Sequence, residues 1–173
     1  ATGQALPAYG VQVQPVVIGA ARGFLLAGWL ALNLACGSLF AGPPIIALAF
    51  SPDGKTFASA GRRVIVLRDV EQTNRVTTLE TDLPKITSLA FHPAGGLLAV
   101  AGGTPGVNGA ALLLRLNDGS EVARVTNETD VAAAVAFDPA GTQLAVAGNA
   151  FVRTYTVTSE RLLPRHQLTG HVG

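Results

Sequence analysis

The chain has 173 residues, of which 49% are hydrophobic and only 13% are charged, and its formal net charge is +1. A chain of this length can bury one substantial core, and its near-neutral charge provides no basic surface for nucleic acid, so we expect no nucleic-acid partner. Its single cysteine, Cys36, excludes an internal disulfide and a multi-cysteine metal site.

The first forty residues carry almost no charge, and their pattern supports two different predictions. Arg22 is the only charged residue before Asp53. The apolar stretch 23–41 is long enough to cross a bilayer as a helix, and it could also act as a signal segment. Within it, leucines at every second position show the period of a β-strand. We therefore interpret 1–15 as an N-terminal extension and 16–42 as a degenerate β-sheet unit, with a transmembrane or signal segment as the alternative.

Three segments then repeat one pattern, in which an apolar run ends in Ala-Phe and is followed by a Pro-Gly turn. The copies are 46–54, 87–95 and 133–141, and each is followed by a second apolar run that ends in glycine. Alternating large and small residues predict strands, and proline at the second turn position predicts a hairpin. The anchors Phe50, Phe91 and Phe137 are 41 and 46 residues apart. A period near 40 with this content is typical of β-propeller blades.

Two further strands complete each repeat. The β-branched and leucine-rich runs that predict them are 64–70 and 75–79, 111–116 and 121–126, and 151–157 and 166–171. A four-stranded meander cannot cover both of its faces, so the units must stack. The predicted fold is an all-β propeller segment of three clear four-stranded blades, at 43–83, 84–130 and 131–173, plus a possible degenerate first blade at 16–42. We expect no helix longer than about two turns between residues 44 and 171.

Residues 43–173 resemble the WD40-repeat β-propeller family, in the degenerate form found in large bacterial proteins. Residues 50–55, Phe-Ser-Pro-Asp-Gly-Lys, are similar to the family's first hairpin, and 168–171, Leu-Thr-Gly-His, to the junction between repeats. The family's Trp-Asp pair is replaced by Arg68-Asp69, Leu116-Asn117 and Tyr155-Thr156. Its buried polar network is therefore not expected here. The resemblance implies a scaffold that binds proteins, and we favour a bacterial cell envelope or periplasm over the cytoplasm as its compartment.

No catalytic or metal-binding constellation stands out in the sequence, so we predict no enzymatic activity and no cofactor. Asp53, Asp118 and Asp138 lie at turns, where short carboxylates hydrogen-bond the nearby backbone. His92 occupies a turn position that another repeat fills with Asp138, so we expect it to cap its turn. The glycine-rich stretch 102–109 is predicted to be an inserted loop without the lysine or the helix of a phosphate site.

Recognition is assigned to the loops, because loops vary while blades pack. The predicted partner-binding residues are Arg62, Arg63, Thr104, Asn108 and Asn149. The leading hypothesis is a non-catalytic scaffold for protein–protein interaction. The alternatives are a membrane-anchored accessory subunit, held through 16–42, and the propeller part of a larger secreted redox or hydrolytic enzyme.

The number of repeats and the anchor residues give two further expectations. Three clear blades and one doubtful blade leave an arc that is too short to close as a regular ring. We expect an open arc, completed by further blades of a longer parent chain or by a second copy. We also expect Phe50, Phe91 and Phe137 to be buried at equivalent positions in successive blades.

Overall fold

The computed structural model describes residues 44–127, 130–149, 151–159 and 161–169, and these residues contain twelve β-strands and no helix. The strands are β1 (Ala47–Phe50), β2 (Thr56–Ala60), β3 (Val64–Asp69), β4 (Val76–Glu80), β5 (Ile86–Phe91), β6 (Leu97–Thr104), β7 (Asn108–Arg115), β8 (Glu121–Asn127), β9 (Ala134–Phe137), β10 (Gln143–Ala147), β11 (Phe151–Val157) and β12 (Leu162–Thr169). The proposed extension at 1–15 and the degenerate blade or membrane segment at 16–42 lie outside the described residues.

Consecutive strands pair antiparallel and form three separate four-stranded sheets. The first sheet is β1–β4, the second is β5–β8 and the third is β9–β12, each in simple sequence order. This is the predicted meander, because every connection between neighbouring strands is short. The all-β fold class is confirmed for the described part of the chain, where the three sheets form an open stack.

Each sheet begins with the predicted Pro-Gly hairpin. A backbone hydrogen bond of 2.8–3.0 Å closes each turn, in the donor–acceptor pairs Gly54–Ser51, Gly95–His92 and Gly141–Asp138. The three glycines have φ values of +70°, +76° and +71°. An L side chain in this left-handed region costs about 1–2 kcal/mol. The same turn therefore explains both the proline and the glycine of every repeat.

The sheets stack through two apolar layers, with the second sheet in the middle. The first layer joins Ala58 and Ala60 of the first sheet to large residues of the second sheet, such as Leu98. The second layer joins Ala99 and Ala101 of the second sheet to large residues of the third sheet, such as Leu144. In its first two strands, each sheet thus has an alanine face and a large-residue face. Inside the stack, the alanine face of one sheet always packs on the large-residue face of the next.

The expectation of three buried phenylalanines is only partly correct. Phe91 is 9% exposed and Phe137 is half-buried, but Phe50 is 67% exposed. The three positions are equivalent in register, because each phenylalanine pairs with the same position of the following strand. The prediction was wrong for Phe50 because Phe50 lies on the large-residue face of the first sheet, which no other described sheet covers.

The stretch 102–109 is not the predicted inserted loop. Strand β6 continues to Thr104 and β7 begins at Asn108, and the two remain paired up to the Thr104–Asn108 pair. Only three residues form the turn. The glycines allow this pairing because backbone passes close to them: a Cβ on Gly102 would collide with the carbonyl oxygen of Lys85. Small residues here therefore mark a tightly covered hairpin.

Candidate functional site

The stacked sheets have two distinct edges where turns gather. We call one the loop edge. It comprises the turns between the second and third strands of each sheet, at 61–63, 105–107 and 148–149. It also comprises the connectors that lead from one sheet to the next, at 81–85 and 130–133. We call the other the Pro-Gly edge, which carries the first hairpin turn of each sheet. Backbone hydrogen bonds hold the connectors on the loop edge, since Ile86 N–H donates to Gly61 O at 2.7 Å and Gly103 N–H to Lys85 O at 2.9 Å.

All five residues predicted to bind a partner lie on the loop edge. Arg62 and Arg63 form the turn of the first sheet, Thr104 and Asn108 flank the turn of the second, and Asn149 lies in the turn of the third. Thr104 is half-buried and the other four are exposed. Equivalent turns meet on one side because the three sheets stack in the same orientation.

The arginine turn of the first sheet is fixed by its backbone. Arg63 has a φ of +41° and is the only non-glycine residue in the left-handed region among the described residues. Its carbonyl oxygen accepts the N–H of Thr81 at 2.7 Å, which ties the turn to the first connector. Within the described residues, neither Arg62 nor Arg63 forms a salt bridge. The turn therefore presents two exposed arginine residues on a backbone that is hydrogen-bonded to the first connector.

A charged cluster lies beside this turn and was not predicted from the sequence. Arg124 of β8 donates to Glu121 at 2.7 and 2.9 Å and to Asp82 of the first connector at 2.9 Å. The hydrogen bond that Arg124 donates lowers the pKa of Asp82, and the hydrogen bonds to Glu121 and then to Asp82 raise the pKa of Arg124. The cluster anchors the first connector to the second sheet. Asp82 and Arg124 are 42 residues apart in sequence, so no local pattern predicts their contact.

Asp130 braces the second connector in a similar way. Its carboxylate accepts the N–H of Gly106 at 2.9 Å and that of Val131 at 2.7 Å, and it also hydrogen-bonds the Asn149 side chain. These bonds lower the pKa of Asp130, with the Gly106 N–H as the largest cause. Asn149 therefore takes part in the hydrogen bonds that link the turns of the second and third sheets through Asp130. Asp130 was missed because it lies in a connector with no repeat pattern.

The Pro-Gly edge contains a groove of about 570 Å³ between the first and second sheets. Several of the polar side chains that line it have local partners. Asp53 accepts the hydroxyl of Ser51 at 2.6 Å and the N–H of Lys55 at 3.1 Å, and these bonds, that of Ser51 first, lower its pKa. Arg68 donates to the carbonyl of Thr73 at 3.3 Å. The Asp53 and Arg68 side chains of the groove are therefore already engaged in local hydrogen bonds.

His92 caps its own turn, as predicted, and also reaches the neighbouring sheet. Its Nδ1 accepts the N–H of Ala94 at 3.1 Å, and its Nε2 lies 2.9 Å from the carbonyl oxygen of Gly141. The ring also meets Phe137 edge-on, with centroids 5.0 Å apart. His92 thus links the first turn of the second sheet to that of the third.

Residues 35–69 match the family model described as WD domain, G-beta repeat. The described part of that match, from residue 44 onward, covers β1, β2 and β3. The chain carries a WD40 repeat. This confirms the resemblance to the WD40 family, and the stacked four-stranded sheets agree with a propeller-like arrangement. A comparison with curated proteins found no match.

Two of the residues that replace the WD40 Trp-Asp pair, Asp69 and Tyr155, stabilise the fold of this chain. Asp69 accepts the N–H groups of Glu71 and Gln72, both at 2.9 Å, and so caps the turn after β3. Tyr155 is 6% exposed and packs in the second apolar layer. Among the described residues there is no group of three His, Cys, Asp or Glu side chains that could hold a metal ion. Within the same ranges, no helix is long and apolar enough to cross a membrane.

Proposed function

We propose that this WD40-repeat segment is a non-catalytic scaffold that binds a protein partner through its loop edge. The contact residues in this proposal are Arg62, Arg63, Thr104, Asn108 and Asn149. The observation that supports it is the convergence of three equivalent turns, one from each sheet, on a single edge. That edge joins exposed polar side chains into one surface, although they are far apart in sequence.

Rigidity of the loop edge also supports a binding role. The Arg124 cluster holds the first connector in place. Asp130, in the second connector, hydrogen-bonds to the turns of the second and third sheets. A surface whose loops are already ordered loses less conformational entropy on binding. The braced turns therefore favour recognition of a partner by a preformed surface.

The charges on the loop edge indicate the chemistry of the partner. Arg62 and Arg63 are exposed and form no salt bridge within the described residues, although Arg63 lies near enough to Asp82 to contribute to the lowered pKa of that carboxyl. A guanidinium group binds a carboxylate through two parallel hydrogen bonds. We therefore propose that the partner places an acidic side chain at this turn and polar groups near Asn108.

Photo-cross-linking in the native cell tests this function directly. A photoreactive residue at Arg62 and another at Asn108 should capture the same protein. Asn117 provides the matched control, because it is exposed in the turn between β7 and β8, on the Pro-Gly edge. Substituting Arg63→Glu should reduce capture from position 108. Equal capture from position 117, or capture from that position alone, would contradict a loop-edge site.

A further inference from the structure

At the Pro-Gly edge, the ring of His92 bridges the second and third sheets. Because its Nδ1 accepts the N–H of Ala94, the ring carries its proton on Nε2 and donates to the carbonyl oxygen of Gly141 at 2.9 Å. The ring also meets Phe137 edge-on, with an interplanar angle of 77°. Gly141 is buried, and a Cβ on it would lie 2.4 Å from Nε2. This interface therefore shows how the fold seats an N–H-bearing ring between two sheets.

Between the first and second sheets, a serine takes the place of this histidine. The residues that correspond in the repeat to His92, Phe137 and Gly141 all line the groove, and they are Ser51, Phe91 and Gly95. The Ser51 hydroxyl stays within its own turn, where it donates to Asp53 and accepts the N–H of Thr56. Gly95 is half-buried, and a Cβ on it would meet nothing within 4 Å. The groove thus keeps the carbonyl and the aromatic wall of the ring site, but its own turn supplies only a serine.

We propose that the groove of the Pro-Gly edge binds a small heteroaromatic molecule through an imidazole-type ring that donates its N–H to the carbonyl oxygen of Gly95. The ring would pack edge-on against Phe91, as the ring of His92 packs against Phe137. This contact repeats, between the first and second sheets, the interface already present between the second and third.

The lining of the groove suits such a ligand. Its volume of about 570 Å³ is in the range of small-molecule sites and leaves room for substituents on the ring. Leu67, Phe91 and Leu116 give it an apolar wall. The Asp53 carboxylate already accepts groups of its own turn, whereas the Gly95 carbonyl oxygen has no donor among the described residues. The ring N–H is therefore the contact that sets the ligand class.

Two isomeric probes test the ring contact by NMR titration of the full chain, at an alkaline pH where both probes are neutral. 4-Methylimidazole has a ring N–H, and 1-methylimidazole has none. The first should shift the Gly95 amide signal and saturate at millimolar concentrations, as expected for so small a ligand. The second should bind at least about tenfold more weakly, because it leaves the carbonyl oxygen unpaired. Equal binding of the two probes, or no saturable shift at Gly95, would overturn the proposal.

Two pairs of variants locate the site. Gly95→Ala should abolish binding, since its Cβ takes the position that on Gly141 would collide with the ring. Gly54→Ala is the matched control, because it has the same turn position and a nearly equal φ but does not line the groove. Ser51→His should also abolish binding by supplying a ring from the chain itself, whereas Asp138→His, at the same turn position of the third sheet, should leave binding unchanged.

Amide spectra of the unliganded variants show whether each one folds, and the two blocking variants act independently of each other. Binding that persists in a folded Gly95→Ala or Ser51→His chain would place the probe elsewhere and overturn the site. A ring that binds only within the peptide acetyl-Ala-His-Ala-amide, and not as free 4-methylimidazole, would assign the groove to a protein partner and overturn the small-molecule proposal.

Discussion

Replacing Gly141 with alanine tests whether His92 couples the second sheet to the third. Gly54, Gly95 and Gly141 occupy the same turn position and have nearly equal φ values. A Cβ on Gly54 or Gly95 would meet nothing within 4 Å, whereas one on Gly141 would collide with the His92 ring. The three substitutions therefore share the same backbone strain and differ in one contact.

The expected magnitudes follow from these contacts. Gly54→Ala and Gly95→Ala should each lower the free energy of unfolding by about 1–2 kcal/mol, the cost of a left-handed L residue. Gly141→Ala must also displace the His92 ring. That displacement loses its hydrogen bond to Gly141 O, which contributes about 0.5–1.5 kcal/mol, and its edge contact with Phe137, which contributes a similar amount. We expect a total loss of about 2–5 kcal/mol.

Denaturant unfolding of the full chain measures these differences, and a double-mutant cycle assigns their cause. In a His92→Ala background there is no ring to collide with, so Gly141→Ala should cost only as much as Gly54→Ala. The cost of Gly54→Ala should be the same in both backgrounds. Equal costs for Gly54→Ala and Gly141→Ala in the wild-type background would refute the proposed link. An excess for Gly141→Ala that persists without His92 would refute it as well.

Three other substitutions test the packing and the turns. Phe91→Ala should lower the free energy of unfolding by about 3–5 kcal/mol in chemical denaturation, because Phe91 is buried. Phe50→Ala should lower it by less than about 1 kcal/mol at concentrations that keep the chain monomeric, because Phe50 is exposed. Equal losses for the two variants would contradict the order in which the sheets stack. Gly102→Ala should lower the melting temperature more than Gly54→Ala, since its Cβ would collide with backbone rather than open solvent. The pKa of Asp138 is lowered, chiefly by the N–H of Gln143. The Asp138 carboxylate therefore contributes fully to stability above the ordinary carboxyl pKa, and this contribution is lost as the pH falls through the lowered pKa. Asp138→Ala should therefore destabilise the chain in urea at neutral pH, with a smaller effect near pH 2, and an effect independent of pH would exclude this role.

Local sequence patterns were enough to predict the strands and the first hairpin of each sheet. Alternating residues such as Leu48 and Ala49 have the period of a strand, and proline and glycine have backbone preferences that fit one turn type. These are properties of a few neighbouring residues, so they can be read without tertiary structure. The position of Arg62, Arg63 and Asn149 in turns followed from the same patterns.

Burial and the arrangement of the loop edge depended on contacts between distant residues. Phe50 and Phe91 follow the same local pattern, yet only Phe91 has a neighbouring sheet against its side chain. The stretch 102–109 looked like a loop because glycine is usually read as a turn former, but Gly102 and Gly109 lie against connector backbone that allows no side chain. Asp82 and Arg124 meet only because the second sheet folds back onto the first connector.

The sequence alone therefore determined the repeating unit of this protein: a four-stranded sheet whose first two strands have one alanine face and one large-residue face. That unit depends on residue size, alternation and turn preference, all of which act over a few residues. Only the tertiary structure decided which copies of each face are covered and which side chains meet on the loop edge. Those outcomes depend on the order and orientation in which the sheets stack, and every sheet carries the same local pattern.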